Sequence, residues 1–303
     1  MDLFVISLKL LSLLLVVFSQ YLFNYLNYES NNCSNGYFRI RGMKSCHPFL
    51  DCSDFNDMSP IRLLKHGGLK SIYLYKWNDN YLIVSELKLQ KHVNIFMNNI
   101  NNLRQISPNP FVIQLIGWCE DLLFTEYHPN GDATLLPTIL SKNITQYNDI
   151  SLRFQFCIDY VKIIDFLHNS PIGVRVMCDS DSLQKTLSQY LVTNQLSLIL
   201  NDLDDLTQVI DNQAIKCRHW PQDSKFVAPE QLWNSSHKYD RKADIWKIPD
   251  VCEWFLGFGS NNSEFESIRA HIQDIHNQCK SIDPKKRPTA QQILQIYSKV
   301  IKH

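Results

Sequence analysis

The sequence predicts an α+β fold of two lobes, a small β-rich N-lobe and a mainly helical C-lobe, preceded by an N-terminal transmembrane helix. Three observations lead to this prediction. An apolar run opens the chain, segments typical of strands follow from Pro60, and beyond residue 131 apolar residues recur at helical spacing. We therefore expect a signal-anchor segment at residues 1–26, a cysteine-containing segment at 27–59 and the two-lobed domain at 60–303.

The N-terminal run, residues 3–18, is apolar except for Ser7, Lys9 and Ser12. A run of this kind can span a bilayer as an uncleaved anchor or serve as a cleaved signal. Because no small-residue cleavage site follows Phe18, the pattern favours the anchor. A buried amphipathic helix is the alternative.

Three strands joined by two turns are predicted at the start of the two-lobed domain. Strand-like stretches occupy residues 61–77 and 81–89, with Gly67-Gly68 inside the first and Asn78-Asp79-Asn80 between the two. A glycine turn in this place lets backbone N–H groups approach phosphates. A plain hairpin turn that needs no ligand explains the glycines equally well.

Lys70 is the candidate for a phosphate-binding ammonium group. If the second hairpin turns at Asn78-Asp79, Lys70 lies two residues from the strand partner of Ser85, on the same face. Ser85 itself stands where a phosphate-binding lysine would be expected, and the long side chain of Lys70 could reach the same point. A solvated lysine on a strand edge is the alternative.

A helix and a connector complete the predicted N-lobe. Apolar residues recur at helical spacing between residues 88 and 105, and this helix contains no Glu or Asp to pair with a lysine. Two further strands are predicted before Glu126. The connector that follows, through His128 to Gly131, can offer backbone N–H and C=O groups to an adenine edge, although a surface turn would also fit.

The central stretch, residues 176–205, carries an acid (Asp179), an amide (Gln189) and a second acid (Asp202). Phosphoryl transfer needs a carboxylate near the attacking hydroxyl, with an amide and a carboxylate holding metal against the phosphates. In protein kinases the amide precedes the metal-binding acid by about 13 residues, and Gln189 precedes Asp202 by 13. We expect Asp179 to be catalytic and the other two to bind Mg²⁺ or Mn²⁺, although acids at strand ends are common without such a role.

The C-lobe carries three short motifs in a fixed order, after a predicted helix at residues 151–168. They are Ala228-Pro229-Glu230, Asp244-Ile245-Trp246 and Arg287-Pro288-Thr289. In a protein kinase the glutamate of the first pairs with the arginine of the third, and the acid of the second is buried under the catalytic loop. We expect the same contacts here.

Composition and cysteine usage narrow the class of protein. Lys+Arg and Asp+Glu are equal at 30 each, so there is no basic excess to suggest a nucleic-acid partner. The nine cysteines lack paired zinc-ligand spacing, but three of them lie close together near the N-terminus and suggest a local disulfide in an oxidising compartment. Together with the apolar N-terminus and four N-glycosylation sequons, at Asn32, Asn143, Asn234 and Asn261, they favour a type II glycoprotein that faces the secretory lumen.

Long phrases of the chain resemble the protein O-mannose kinase family, an atypical secretory-pathway branch of the protein kinase-like fold. They are GYFRIRGMKSCHPFLDC, TEYHP, RVMCDS, KTLSQYL, NDLD, KFVAPEQLW, DIWKIPD and RPTAQ. The match runs from about Asn32 to the C-terminus, and phrases of this length do not recur by chance. The resemblance implies an ATP-dependent kinase that phosphorylates the 6-hydroxyl of O-linked mannose. It also implies a location in the endoplasmic reticulum membrane, with a single-pass type II anchor and a lumenal catalytic domain. The implied acceptor is a GalNAc-GlcNAc-mannose trisaccharide on alpha-dystroglycan-like glycoproteins.

The resemblance also assigns roles to individual residues. Asp179 matches the catalytic acid, Asp202 the metal-binding acid, and Lys70 the lysine of the family's glycine-containing motif. Gln189 matches the Gln of LSQYL, and the remaining glycines Gly67 and Gly68 would face the phosphates.

Two departures from the family pattern leave rival functions open. Lys65 replaces a glycine, and the predicted N-lobe helix has Lys91 and Asn94 where the family has acids. These changes favour a catalytically inactive pseudokinase that acts as a lumenal binding module. A peptide-directed Ser/Thr kinase is the second rival.

Overall fold

The structure, a computed structural model, describes residues 33–142, 150–210, 215, 217, 223, 225–232, 239–257 and 263–300. In this part of the chain a β-rich N-terminal region is followed by a mainly helical C-terminal region. The arrangement is α+β and fits a kinase-like fold, in agreement with the two-lobed part of the predicted fold class.

The transmembrane part of the predicted fold class needs correction. Among the described residues, no helix combines the length and the apolar character needed to cross a bilayer. The predicted anchor, residues 1–26, lies outside the described residues. The predicted location, a single-pass type II protein of the endoplasmic reticulum membrane with a lumenal catalytic domain, needs the same correction, because it required a membrane-spanning helix.

A five-stranded antiparallel sheet forms the N-lobe. Its strands are β3 (Ser59–His66), β4 (Lys70–Trp77), β5 (Asn80–Leu87), β6 (Leu115–Cys119) and β7 (Leu122–Glu126). They lie in the order β3-β4-β5-β7-β6 across the sheet. The three predicted strands and both turns before residue 88 are confirmed. In the second turn Asn78 adopts a positive φ of 51°, which asparagine tolerates better than most residues.

The residues before the sheet pack against it and share an apolar core with its strands. They form β1 (Tyr37–Phe38), β2 (His47–Pro48) and the short helix α1 (Cys52–Phe55). Leu50 runs beside Gly117 of β6, where an added Cβ would lie 2.1 Å from the Leu50 carbonyl oxygen, so only glycine fits. The expected local disulfide is Cys33–Cys46, whereas Cys52 bonds to Cys119 and ties this segment to the sheet.

Helix α2 (Val93–Ile106) is the predicted N-lobe helix, and it begins after a 3₁₀ turn at Gln90–His92. Phe96, Ile100 and Leu103 follow one another at helical spacing and are buried in the main core. The asparagines between them bring polar groups to the boundary between the lobes.

The C-lobe is built around α4, a buried helix in contact with α7 and α9. Its helices are α3 (Leu136–Lys142), α4 (Ile150–His168), α5 (Leu183–Leu187), α6 (Pro229–Leu232), α7 (Lys242–Leu256), α8 (Ser263–Cys279) and α9 (Ala290–Val300). The C-lobe also contains two small antiparallel strand pairs. They are β8 (Arg175–Met177) with β11 (Leu206–Gln208), and β9 (Tyr190–Val192) with β10 (Leu198–Leu200).

Residues of all three C-lobe motifs make the predicted buried polar contacts. The Arg287 guanidinium donates two hydrogen bonds to the Glu230 carboxylate, at 2.5 and 2.8 Å. One carboxylate oxygen of Asp244 accepts from the backbone N–H of Met177 at 3.3 Å and lies 3.1 Å from His168 Nε2. These contacts hold the end of β8, from which the loop carrying Asp179 begins.

Candidate active site

Three carboxylates converge where two C-lobe strands end. Asp179 follows β8, and Asp202 and Asp204 lie between β10 and β11. The two loops are neighbours because β8 pairs with β11, and the Cys178 N–H donates to the Asp205 carbonyl at 3.2 Å. One oxygen from each of the three carboxylates lies within 4.8 Å of the others. The structure thus brings the predicted catalytic acid and the predicted metal-binding acid together.

A hairpin brings the backbone of Gln189 beside Asn201, the residue before Asp202. Tyr190 pairs with Leu200, and the Asn201 N–H donates to the Gln189 carbonyl at 2.8 Å. The residues between Gln189 and Asp202 therefore form β9, a turn and β10. The Gln189 amide Nε2 lies 3.3 Å from Asp179 Oδ2. Its Oε1 is buried and accepts no hydrogen bond within the described part of the protein.

Lys70 reaches from the N-lobe sheet into this cluster. Its partner on β5 is Leu87 and Ile72 pairs with Ser85, which is the register predicted from the sequence. The Lys70 ammonium donates to Asp202 Oδ1 at 2.9 Å, and both side chains are largely buried. Burial alone would lower the pKa of Lys70, but the carboxylates of Asp202 and Asp204 raise it on balance. In the same way, burial would raise the pKa of Asp202, but Lys70 lowers it, so both groups are held in their charged forms.

Two further residues belong to the cluster, and neither was predicted. Burial and the neighbouring Asp202 raise the pKa of Asp204 to about 7. The Lys185 ammonium, on α5, lies 2.8 Å from Asp179 Oδ2. Partial burial opposes the charge of Lys185, but the hydrogen bond to Asp179 raises its pKa overall. The sequence offered two signals, since Asp204 is the first acid after Asp202 and Lys185 is the single basic residue between Asp179 and Gln189.

The donor set fits a divalent cation with a preference for oxygen ligands. Buried polar atoms in folded proteins nearly always have a partner, and the buried Oε1 of Gln189, which has none among the described residues, can therefore serve as a ligand. The three carboxylate groups beside it are the ligands that Mg²⁺ and Mn²⁺ take. Sequence predicted Asp202 and Gln189 for this role, and the structure adds Asp204 as a candidate.

The predicted glycine turn lies directly before Lys70. The Gly67 N–H donates to the Lys70 carbonyl at 3.0 Å, and the Lys88 ammonium donates to the Gly67 carbonyl at 2.8 Å. A Cβ added to Gly68 would meet no atom within 4 Å, so the turn itself does not require glycine there. Lys65, which replaces a glycine, lies 3.5 Å from Asp132 at the start of the C-lobe. This exposed ion pair joins the lobes but contributes little stability.

The predicted connector residues Glu126 and His128 lie at the link between the lobes. Glu126 accepts from the Gln114 N–H at 2.9 Å, and its own N–H donates to the Gln114 carbonyl at 3.2 Å. His128 Nε2 lies 3.3 Å from the Glu126 carboxylate but without hydrogen-bond geometry. Burial would raise the pKa of Glu126, but His128 and the Gln114 N–H lower it. The Glu126 side chain is therefore already bonded within the N-lobe. Among the described residues, no contact joins Glu126 or His128 to the cluster of Asp179, Asp202 and Asp204.

A disulfide joins Cys178, the residue before Asp179, to Cys217, which is 39 positions later in the chain. We expect the double variant Cys178→Ser/Cys217→Ser to lose about 4 kcal/mol of unfolding free energy from loop closure. Its kcat should fall by roughly 10- to 100-fold because Asp179 is no longer held in place. The double variant Cys33→Ser/Cys46→Ser is the control, since it removes a disulfide outside the site. A kcat equal to wild type in the first variant would contradict the expectation.

Comparison with known proteins identifies relatives that cover most of the chain. No family profile matches it. The protein O-mannose kinase of Macaca fascicularis and that of Homo sapiens are each 38% identical over 291 residues, which is 90% of this chain and 81% of theirs. The protein O-mannose kinase of Gallus gallus is 36% identical over the same shares.

Proposed function

This chain belongs to the protein O-mannose kinase family and is a kinase, and on that premise we propose that it transfers the γ-phosphate of ATP to the 6-hydroxyl of an O-linked mannose. The proposed acceptor is the GalNAc-GlcNAc-mannose trisaccharide on an alpha-dystroglycan-like glycoprotein. The observation that supports this most is the convergence of Asp179 and Asp202 with Lys70, which comes from the other lobe.

In the proposed reaction, Asp179 accepts the proton of the mannose hydroxyl while the oxygen of that hydroxyl forms a bond to the γ-phosphorus. The bond from phosphorus to the bridging oxygen breaks, and ADP carries away the negative charge. Lys70 would neutralise charge on the phosphates from its position beside Asp202. Lys185, 2.8 Å from Asp179 Oδ2, would hold that carboxylate in position.

Asp202 and Gln189 are the proposed holders of Mg²⁺ or Mn²⁺, with Asp204 beside them. When bound, the ion supplies charge neutralisation for the phosphate oxygens. Gly67 and Gly68 are proposed to face the phosphates, and the backbone of the connector at Glu126 and His128 is proposed to face the adenine. The carboxylate side chain of Glu126 would take no part, because it is bonded to Gln114.

The direct test is to incubate the protein with ATP, Mn²⁺ and the trisaccharide, and to analyse the glycan by mass spectrometry. We expect one phosphate on the mannose. A trisaccharide with a 6-deoxymannose is the matched control acceptor and should remain unmodified. Phosphate on a serine or threonine of a glycan-free peptide would favour the peptide-directed kinase instead. Binding of ADP with Mn²⁺ but no transfer to any acceptor would favour the pseudokinase.

A further inference from the structure

Three asparagines of α2 contact the segment that carries Asp202. Asn99 Oδ1 accepts from the Leu203 N–H at 3.2 Å, and its Nδ2 lies 3.4 Å from Asp202 Oδ1. Asn102 Nδ2 donates to the Leu203 carbonyl at 2.8 Å, and Asn98 Nδ2 donates to the Asp204 carbonyl at 2.8 Å. The helix therefore bonds to every residue from 202 to 204.

Two of these amides are buried, which makes their hydrogen bonds costly to lose. Asn99 and Asn102 are 1% and 3% exposed, and they lie three positions apart on one face of the helix. Both backbone groups of Leu203 are satisfied by side chains of α2 and not by a strand. Removing either amide would leave a buried backbone group without a partner.

This arrangement differs from the usual connection between the N-lobe helix and the site. In protein kinases a glutamate of that helix pairs with the phosphate-binding lysine. Helix α2 contains no Glu or Asp, and Lys70 is bonded to Asp202 itself. The helix thus reaches the site through neutral amides and the backbone of the 202–204 segment.

We propose that Asn99 and Asn102 are positioning residues that clamp the 202–204 segment, so that Asp202 is held ready for Lys70 and for a metal ion. The proposal rests on the proposed function, since it assigns the clamp to a kinase site. A neutral amide suits position 99 for a physical reason. It accepts from Leu203 and donates toward Asp202 at once, whereas a carboxylate there would add another negative charge to a cluster that already contains Asp179, Asp202 and Asp204.

Asn99→Leu tests the clamp, because leucine is close to asparagine in shape but makes neither hydrogen bond. Asn101→Leu is the matched control, since Asn101 is exposed on the same helix. Three quantities are measured for each variant: the affinity for ADP in the presence of Mn²⁺ by calorimetry, kcat and KM for the trisaccharide, and the melting temperature. Substitution of a residue that hydrogen-bonds to a metal ligand typically lowers metal affinity or activity by about 10- to 100-fold. We expect Asn99→Leu to weaken ADP binding with Mn²⁺ and to lower kcat by at least about tenfold each, with KM for the trisaccharide unchanged.

Several outcomes would overturn the proposal. A lower melting temperature with wild-type ADP affinity and kcat would mean that Asn99 is only structural. Equal losses in Asn101→Leu would assign the effect to the helix and not to the clamp. If Asn99→Leu does not fold, Asn102→Ala decides, because alanine favours the helix and removes only the bond to the Leu203 carbonyl. The calorimetry is carried out without acceptor, so it decides on the clamp even if the wild-type protein does not phosphorylate mannose.

Discussion

Asp179→Asn is expected to lower kcat by about 10²- to 10⁴-fold, the usual contribution of a positioned general base. Asparagine keeps the shape of the side chain but cannot take the hydroxyl proton, and it releases the ion pair with Lys185. Binding of ADP in the presence of Mn²⁺ should change little, because Asp202 and Gln189 are the proposed metal ligands. Single-turnover phosphorylation of the trisaccharide measures the loss.

The control for this variant is Asp274→Asn, the same change at an exposed position of α8. It should behave as wild type. If Asp179→Asn retained most of its activity, the proposed proton acceptor would be wrong. If it instead lost ADP binding with Mn²⁺ in proportion to activity, Asp179 would have to be reassigned as a metal ligand.

Lys70→Met is expected to abolish measurable transfer and also to destabilise the protein. Removing one partner of a largely buried ion pair leaves an uncompensated charge, at a cost of about 3 kcal/mol, and here that charge is Asp202. Loss of an electrostatic stabiliser at the phosphates should lower kcat by at least about 100-fold. Thermal unfolding and the glycan phosphorylation assay measure the two effects separately.

A second substitution separates stability from catalysis. Lys70→Met/Asp202→Asn removes both charges, so it should recover much of the lost stability but none of the activity. Lys76→Met is the control, because Lys76 is the exposed lysine of the same strand and pairs only at the surface with Asp79. Wild-type stability in Lys70→Met would show that the two charges are not desolvated together.

Local patterns predicted much of the N-lobe correctly. Alternating residues and two turn motifs were enough for β3, β4 and β5, and the turn at Asn78-Asp79 set the register that brings Lys70 near Ser85. The interval between Gln189 and Asp202 could also be interpreted, because its length matches a hairpin that returns the chain to its starting point. In each case residues close in the sequence decide the geometry.

The contacts of α2 were beyond such reasoning. Its apolar residues predicted a helix, but buried asparagines look like errors in the pattern until their partners are known. Asn99 and Leu203 are separated by 104 positions, and only the packing of the lobes brings them together. The pairing of Cys52 with Cys119 and of Cys178 with Cys217 was open for the same reason, since cysteine spacing alone does not specify connectivity.

By itself, the sequence determined the two-lobed α+β architecture and the kinase family, and it suggested which acids to propose for the site, because period, turns and long motifs are properties of neighbouring residues. Only the tertiary structure decided which groups share one site. Lys70 meets Asp202 across 132 positions, Lys185 turns toward Asp179, and Asp204 joins the cluster with a pKa of about 7. Charge interactions depend on distance and burial, and those two quantities exist only after the lobes have packed against each other.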